Sequence, residues 1–308
     1  MIKNKKNVGH SISQRLLHRS KVNKEDFNLL LSRYGTERFL YRLSISRYSD
    51  RFILKGASLF LVWKGQSYRV TRDVDLLSFG NPNVEALADI FRDICEVNCP
   101  QDDGMSYISD SLRIEEIRED NEYDGMRIKL NGFLSQAKIP LQIDIGFGDV
   151  VTPAPETVEY PTFFDDPAPR MKAYPRYTLV AEKLEAMVRL GIANSRMKDF
   201  YDIWLLSKLF GFDGVILSQA IANTFSRRQM KLPSAMPFAF TVSFYEDSQK
   251  RVQWTAFVRK SKPNIPVGNL PEVIEELSRF IMPVINALRE EVLFQSNWLP
   301  DKGWLPSS

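Results

Sequence analysis

Apolar residues recur at three- and four-residue intervals from Ser11 to about Ser49: Leu16, Leu17, Phe27, Leu29, Leu30, Leu31, Tyr34, Phe39, Leu40 and Leu43. That period predicts helix, with Asn23 as an N-cap and Asp26 in the first turn. The stretch Phe52–Trp63 reads as a short strand, a small-residue turn at Gly56-Ala57-Ser58, and a helix. Tyr68–Ser78 reads as one strand, ended by Gly80-Asn81-Pro82, and Val84–Val97 as a helix. Ile108–Glu119 and Met126–Leu134 read as an antiparallel pair, with Asn121 and Gly125 in its turn. In Ile139–Phe147 the pattern alternates: Leu141, Ile143 and Ile145 take one face, Gln142 and Asp144 the other.

Gly148 and the prolines 153, 155, 161, 167, 169 and 175 then crowd residues 148–176, which read as a linker. Helical spacing returns in Leu179–Leu190, Met197–Phe210, Gly214–Phe225, Glu246–Lys260 and Glu272–Leu293. The expected class is mixed α+β. A helical N-terminal segment (1–50) precedes a core with a small mixed sheet (51–176) and a helical C-terminal half (177–308).

Composition narrows the function classes. With 308 residues and 44% hydrophobic content, the chain can bury a sizeable core. A net charge of +3 permits a nucleic-acid partner without demanding one. Two cysteines, Cys95 and Cys99, exclude a disulfide framework, and two histidines, His10 and His18, give little support to a zinc site. No apolar run approaches the roughly 20 residues that span a bilayer. The charged start leads into no apolar segment, so a cytoplasmic protein without a membrane partner is expected.

The chemistry concentrates around Asp73 and Asp75, in Arg69-Val70-Thr71-Arg72-Asp73-Val74-Asp75-Leu76-Leu77. Positions two apart share a strand face, and two acids on one face repel unless a cation lies between them. Taken alone, such a pair reads as an ordinary solvated strand end. Asp144, on the polar face of a second apolar strand, changes the balance. If the strands are neighbours, three carboxylates converge and suit Mg²⁺ or Mn²⁺, the arrangement of a two-metal phosphoryl or nucleotidyl transfer.

Upstream, Lys55-Gly56-Ala57-Ser58 could present backbone N–H groups to a triphosphate, with hydroxyls from Ser58 and Thr71. It could equally be a turn in which Gly56 only permits a tight strand–helix approach. Lys183 interrupts an apolar helix, and Asp199 and Asp202 open the next. These are either a pair tying two helices together, or Lys183 on substrate phosphates with an acid orienting it. Basic stretches at Arg227-Arg228 and Lys250–Lys262, interleaved with Trp254 and Phe257, are either an RNA-binding surface or a solvated helix face over a core.

Taken in order, these motifs resemble the abortive-infection nucleotidyltransferase toxins (AbiEii/AbiGii type, including the MenT toxins), in the DNA polymerase β-like superfamily. The matching pieces are Leu54–Leu59, Arg69–Leu76, Ile143–Asp149, Glu182-Lys183-Leu184 and Arg196–Ile203, about half the chain. Ala57 departs from the pattern, where the family usually has a second glycine. The resemblance implies a toxin of a toxin–antitoxin pair that transfers nucleotides from an NTP to an RNA acceptor, the tRNA 3′ end in some members, and is neutralised by a cognate antitoxin protein. Carried over by motif, Asp73, Asp75 and Asp144 bind the metals, with Asp144 as base for the RNA hydroxyl. Lys55, Gly56, Ser58, Thr71, Lys183 and Asp202 fall at the nucleotide, and Lys183 and Asp199 at positions needed for activity.

Two other readings fit the same scaffold. One is a catalytically silent binding or regulatory module. The other is a nucleotidyltransferase that modifies a protein rather than RNA.

Overall fold

The computed structural model describes residues 7–71, 73–80, 83–119 and 122–307. Its contacts divide it into two units. The first comprises Met1–Ser67, Thr71–Gly148 and Thr157–Ala173; the second comprises Tyr68–Val70, Asp149–Glu156 and Tyr174–Ser308.

The first unit opens with α1 (Val8–Asn23) and α2 (Phe27–Ile45). The break between them moves the expected cap. Asn23 ends α1, Lys24 takes the left-handed conformation, and the Asp26 carboxylate caps α2 by accepting from Leu29 N at 2.8 Å. A carboxylate caps as well as an amide does, so the spacing alone did not choose between Asn23 and Asp26.

There follow β1 (Phe52–Lys55), a single turn at Gly56–Ser58, α3 (Leu59–Lys64), β2 (Asp73–Ser78), α4 (Val84–Cys95), β3 (Met105–Glu119), β4 (Glu122–Leu134) and β5 (Ala137–Phe147). Two short strands close the unit, β6 (Glu156–Glu159) and β7 (Arg170–Ala173). Among the described residues they form a seven-stranded mixed sheet in the order β3-β4-β5-β2-β1-β7-β6. The proline-rich stretch is therefore part of the sheet: β7 pairs in parallel with β1, through Ile53↔Lys172 and Leu54↔Ala173. Four-residue strands between prolines carry too little alternation to be read from sequence. The expected turn residue Asn121 lies outside the described residues, as do Asn81 and Pro82. Gly125 stands within β4, opposite Ile117.

Tyr68–Val70 does not belong to β2. In the second unit, Val70 N donates to Ser261 O at 3.1 Å, and Tyr68 O accepts from Asn264 N at 3.0 Å. These bonds to distant chain segments override a local pattern that reads as one continuous strand.

One sheet face of the first unit builds its core. Ile139, Leu141, Ile143 and Ile145 are all buried, together with Val74 and Leu76 of β2. Helix α2 packs on β5, and α4 on β3. Phe39 stacks on Phe91 at 5.8 Å and meets Tyr107 edge-on at 5.3 Å. Asp103, buried, accepts from both Arg38 and Arg42. The opposite face is polar at Gln142 and Asp144, as the alternation predicts.

The second unit holds α5 (Arg176–Leu190), α6 (Met197–Leu209), β8 (Phe212–Asp213), α7 (Gly214–Arg227), α8 (Val242–Tyr245), α9 (Ser248–Ser261) and α10 (Leu270–Arg289). It ends in a hairpin, β9 (Ser296–Leu299) and β10 (Gly303–Pro306), which joins β8 in a three-stranded sheet. Trp298 and Trp304 of the hairpin pack on Phe280 of α10. No helix among the described residues is long and apolar enough to cross a membrane. The protein is thus mixed α+β, with helices dominating its C-terminal half.

Candidate active site

The register of the sheet builds the site. Strands β2 and β5 are parallel neighbours, and Asp75 stands directly opposite Asp144. Asp73 faces Gln142 one step along the same face. Partners in adjacent strands lie about 4.8 Å apart along the hydrogen-bonding direction, so Asp75 and Asp144 are set close and repel. Asp73 is exposed and Asp75 half-buried.

Cations flank the acid pair along the same row. Lys55 of β1 is the register partner of Asp75, and Arg127 of β4 is that of Asp144. The Arg127 guanidinium grips Asp144 with both arms: Nε donates to Oδ1 at 2.9 Å and Nη2 to Oδ2 at 2.8 Å. Gln142 Nε2 adds a longer bond to Oδ1 at 3.3 Å. The hydrogen bonds that Arg127 donates to Asp144, then the charges of Asp144 and Asp73, hold the guanidinium more firmly protonated than usual. Beyond Arg127 in the row stands Glu115, which is taken by Lys129 at 2.8 Å.

The small-residue turn meets the site through Gly56. Its φ is +75°, and a Cβ added there would overlap the Asp75 carboxylate. Both conditions call for glycine. Ala57 needs no such freedom and is buried. The Ser58 hydroxyl is buried and donates to the Lys55 carbonyl at 3.2 Å. Thr71 Oγ1 donates to the Asp73 carbonyl at 3.4 Å. Both hydroxyls are thus engaged with backbone close to the acids. Arg72, between Thr71 and Asp73, lies outside the described residues.

Asp73, Asp75 and Asp144 share one face, yet they do not close into a cage. Among the described residues no group of three or more His, Cys, Asp or Glu is arranged to hold a metal ion. Donor chemistry still suits a hard cation: Asp73 and Asp75 offer carboxylate oxygens, and Mg²⁺ takes one or two carboxylates when substrate phosphates complete its shell. The third acid differs, because both of its oxygens are turned to Arg127.

Beside Asp73 opens a cavity of about 690 Å³. It lies at the start of β2, where the pairing of β2 with β5 begins at Gln142. Arg113, Lys129 and Lys138 line it together with Asn28 and Ser32 of α2. Sequence reasoning passed over these cations and Arg127, because nothing in the pattern sets one exposed strand cation apart from another.

The second unit contains the Lys183 motif. Lys183, on α5, donates to Asp199 Oδ1 at 2.6 Å and lies 3.0 Å from Asp202 Oδ2, both on α6. Arg69 adds a two-armed grip on Asp202 at 2.8 and 2.9 Å, and Arg196 pairs with Asp199. Asp199 and Asp202 are wholly buried and Lys183 nearly so. Burial works against the Lys183 charge, but the two acids outweigh it and its pKa is raised. For Asp202 burial also opposes ionisation, and Arg69 and Lys183 overcome it, leaving the carboxyl well below its ordinary range. Asp199 is lowered in the same way, by Lys183 and Arg196.

The basic stretches divide. Arg228 turns to Glu185 and Asp149, at 2.6 and 3.0 Å. Lys250 is buried and donates to the Asn194 carbonyl. Trp254 is buried with its Nε1 on the Gly268 carbonyl, so it presents no face for a base. Arg251, Arg259, Lys260 and Lys262 are exposed.

No curated protein sequence matches the chain. Two solved structures from Helicobacter pylori are similar in shape. JHP933 is 14% identical over 82% of this chain and 90% of its own, with a TM-score of 0.44. A second chain, provisionally assigned as a nucleotidyltransferase, is 13% identical over 82% and 93%, with a TM-score of 0.42. Likeness at that level carries no functional argument. The family model described as "Nucleotidyl transferase AbiEii toxin, Type IV TA system" matches residues 38–277. That range covers most of the chain and both units, and the chain belongs to the AbiEii family of nucleotidyltransferase toxins.

Proposed function

We propose that the protein is a divalent-metal-dependent toxin that transfers a nucleotide from an NTP to the 3′ hydroxyl of an RNA, with the tRNA acceptor end as the favoured substrate. The observation carrying this reading is the opposition of Asp75 and Asp144 on adjacent parallel strands, with Asp73 on the same face. Family membership supplies the nucleotide substrate, the transferase class and an antitoxin partner.

In this reading Asp73, Asp75 and one oxygen of Asp144 would hold Mg²⁺ or Mn²⁺, which would neutralise phosphate charge. Asp144 accepts the proton of the RNA 3′ hydroxyl. The hydroxyl oxygen bonds to the α-phosphorus, the bond to the β-phosphate oxygen breaks, and pyrophosphate leaves. Gly56 keeps the turn close to Asp75, and Lys55, beside Asp75, meets the developing negative charge. Ser58 and Thr71 shape the backbone at the triphosphate, since their hydroxyls are already engaged. The cavity lined by Arg113, Lys129 and Lys138 supports an acceptor strand running up to Asp73.

By the resemblance, Lys183 and Asp199 match positions the family needs for activity, and Asp202 pairs with Lys183. Their burial and mutual pairing support a framework role within the second unit over direct phosphate contact.

The test is label transfer. Purified protein is incubated with each labelled NTP, Mg²⁺ and total cellular RNA or protein, and the labelled macromolecule is identified. Label on RNA 3′ ends, lost in Asp75→Asn, supports the reading. No transfer by folded protein with any NTP contradicts it, and label on protein alone moves the acceptor to a polypeptide.

A further inference from the structure

We propose that Arg127 is a positioning residue that competes with the divalent ion for Asp144. It holds the third carboxylate opposite Asp75 while the site is empty of cation, and gives up an oxygen when one binds. The inference rests on the reading of Asp73, Asp75 and Asp144 as the acid set.

The argument starts from repulsion. Asp75 and Asp144 are direct register partners, and like charges placed so are destabilising unless compensated. Compensation comes from inside the sheet, because Arg127 occupies the next position in the row and takes both oxygens of Asp144. Its neighbour on the far side, Glu115, is satisfied by Lys129, so the guanidinium is directed to Asp144 alone in that row. Arg127 is about a third exposed and Asp144 less than a fifth, so the pair lies at the open face. A bidentate guanidinium fixes the plane of a carboxylate as well as its position. The same contact occupies the oxygens that a cation would take, and binding two cations to one carboxylate is a competition.

The competition is measurable without catalysis. Mn²⁺ is titrated into the nucleotide-free protein, and free Mn²⁺ is followed by its electron paramagnetic resonance signal, for wild type, Arg127→Met and the double variant Arg127→Met/Asp144→Asn. Circular dichroism in EDTA establishes that each is folded. The expected result is a fall in half-saturating Mn²⁺ of about fivefold or more in Arg127→Met, the low end of typical site coupling. The double variant returns to at least the wild-type value. A residue that only stabilised the sheet would change melting without changing Mn²⁺ affinity.

Unchanged or weaker Mn²⁺ binding in folded Arg127→Met overturns the proposal. So does a gain that survives Asp144→Asn, or no binding by any of the three. Transfer assays run alongside separate this from the functional reading. Tighter Mn²⁺ binding without label transfer by wild type keeps the competition and removes the nucleotidyltransferase reading. Label transfer with unchanged Mn²⁺ affinity does the reverse.

Discussion

Gly56 lies so close to the Asp75 carboxylate that the space for a Cβ is filled by the acid itself. The turn and the strand are therefore fitted to each other at the atom the chemistry needs. Gly56→Ala must place a side chain at φ +75° and push Asp75 from its position. The left-handed backbone alone costs roughly 1–2 kcal/mol. We expect a fall in stability of at least that size in denaturant unfolding, together with loss of nucleotide transfer. A variant that keeps full transfer would show that Asp75 tolerates displacement.

The Lys183 network makes a contrasting prediction. Lys183→Met leaves Asp199 and Asp202 buried with one cation fewer, and breaking a buried pair costs about 3–5 kcal/mol. Asp73→Asn, at an exposed strand end, changes stability by only about 0.5 kcal/mol. Thermal unfolding of the two variants should separate them clearly. Equal melting temperatures would refute the framework role of Lys183.

Acid should act through the same network. Asp199 and Asp202 have folded pKa values below the ordinary one, so the folded state binds fewer protons than the unfolded state in that range. Their contribution is complete above the ordinary Asp value of about 3.9 and is lost as pH falls below it. Asp202→Asn should flatten the decline in unfolding free energy below that pH. An unchanged acid limb would place the acid sensitivity elsewhere.

Glu37 gives the opposite sign. It is buried on α2, accepts from Phe163 N at 2.9 Å, and leaves one oxygen without a hydrogen bond. Burial raises its pKa to about 8 from an ordinary 4.5, against that bond and Arg38. The folded state then keeps a proton that the unfolded state releases, so stability falls as pH rises from 4.5 towards 8. Glu37→Gln should remove this slope in melting curves between those limits. A wild-type profile flat over the same range would contradict the assignment.

Arg113, Lys129 and Lys138 should act together on RNA. Replacing all three with alanine leaves exposed positions, so the fold should hold. Binding of a single-stranded RNA should weaken, with the salt slope reduced by about 0.7 for each phosphate that these cations no longer neutralise. Equal affinity and slope would exclude the cavity as the acceptor path.

Much of the site was legible because alternation is local. Leu141, Ile143 and Ile145 fix which face Asp144 takes, and the same rule puts Asp73 and Asp75 together. The adjacency of β2 and β5 was not legible, since register between strands about seventy residues apart is set by long-range pairing. Arg127 stayed hidden for that reason: its meaning comes from standing across from Asp144. Arg69 was visible in the motif, but its grip on Asp202 spans 133 residues. Lys183 and Asp199 read equally as helix tie or phosphate contact, and their pairing with complete burial is what only coordinates supply. The strands β6, β7, β9 and β10, each four residues long, were too short for any period to declare itself.

The central claim is that Asp75 and Asp144 work as one acid pair on RNA. Labelled NTP, Mg²⁺ and cellular RNA with wild type, Asp75→Asn and Asp144→Asn test it most directly. The account predicts label on RNA 3′ ends with wild type, loss of transfer in Asp75→Asn, and loss of at least about a hundredfold in Asp144→Asn, the low end of the general-base contribution. Transfer at the wild-type rate by either folded variant would contradict it.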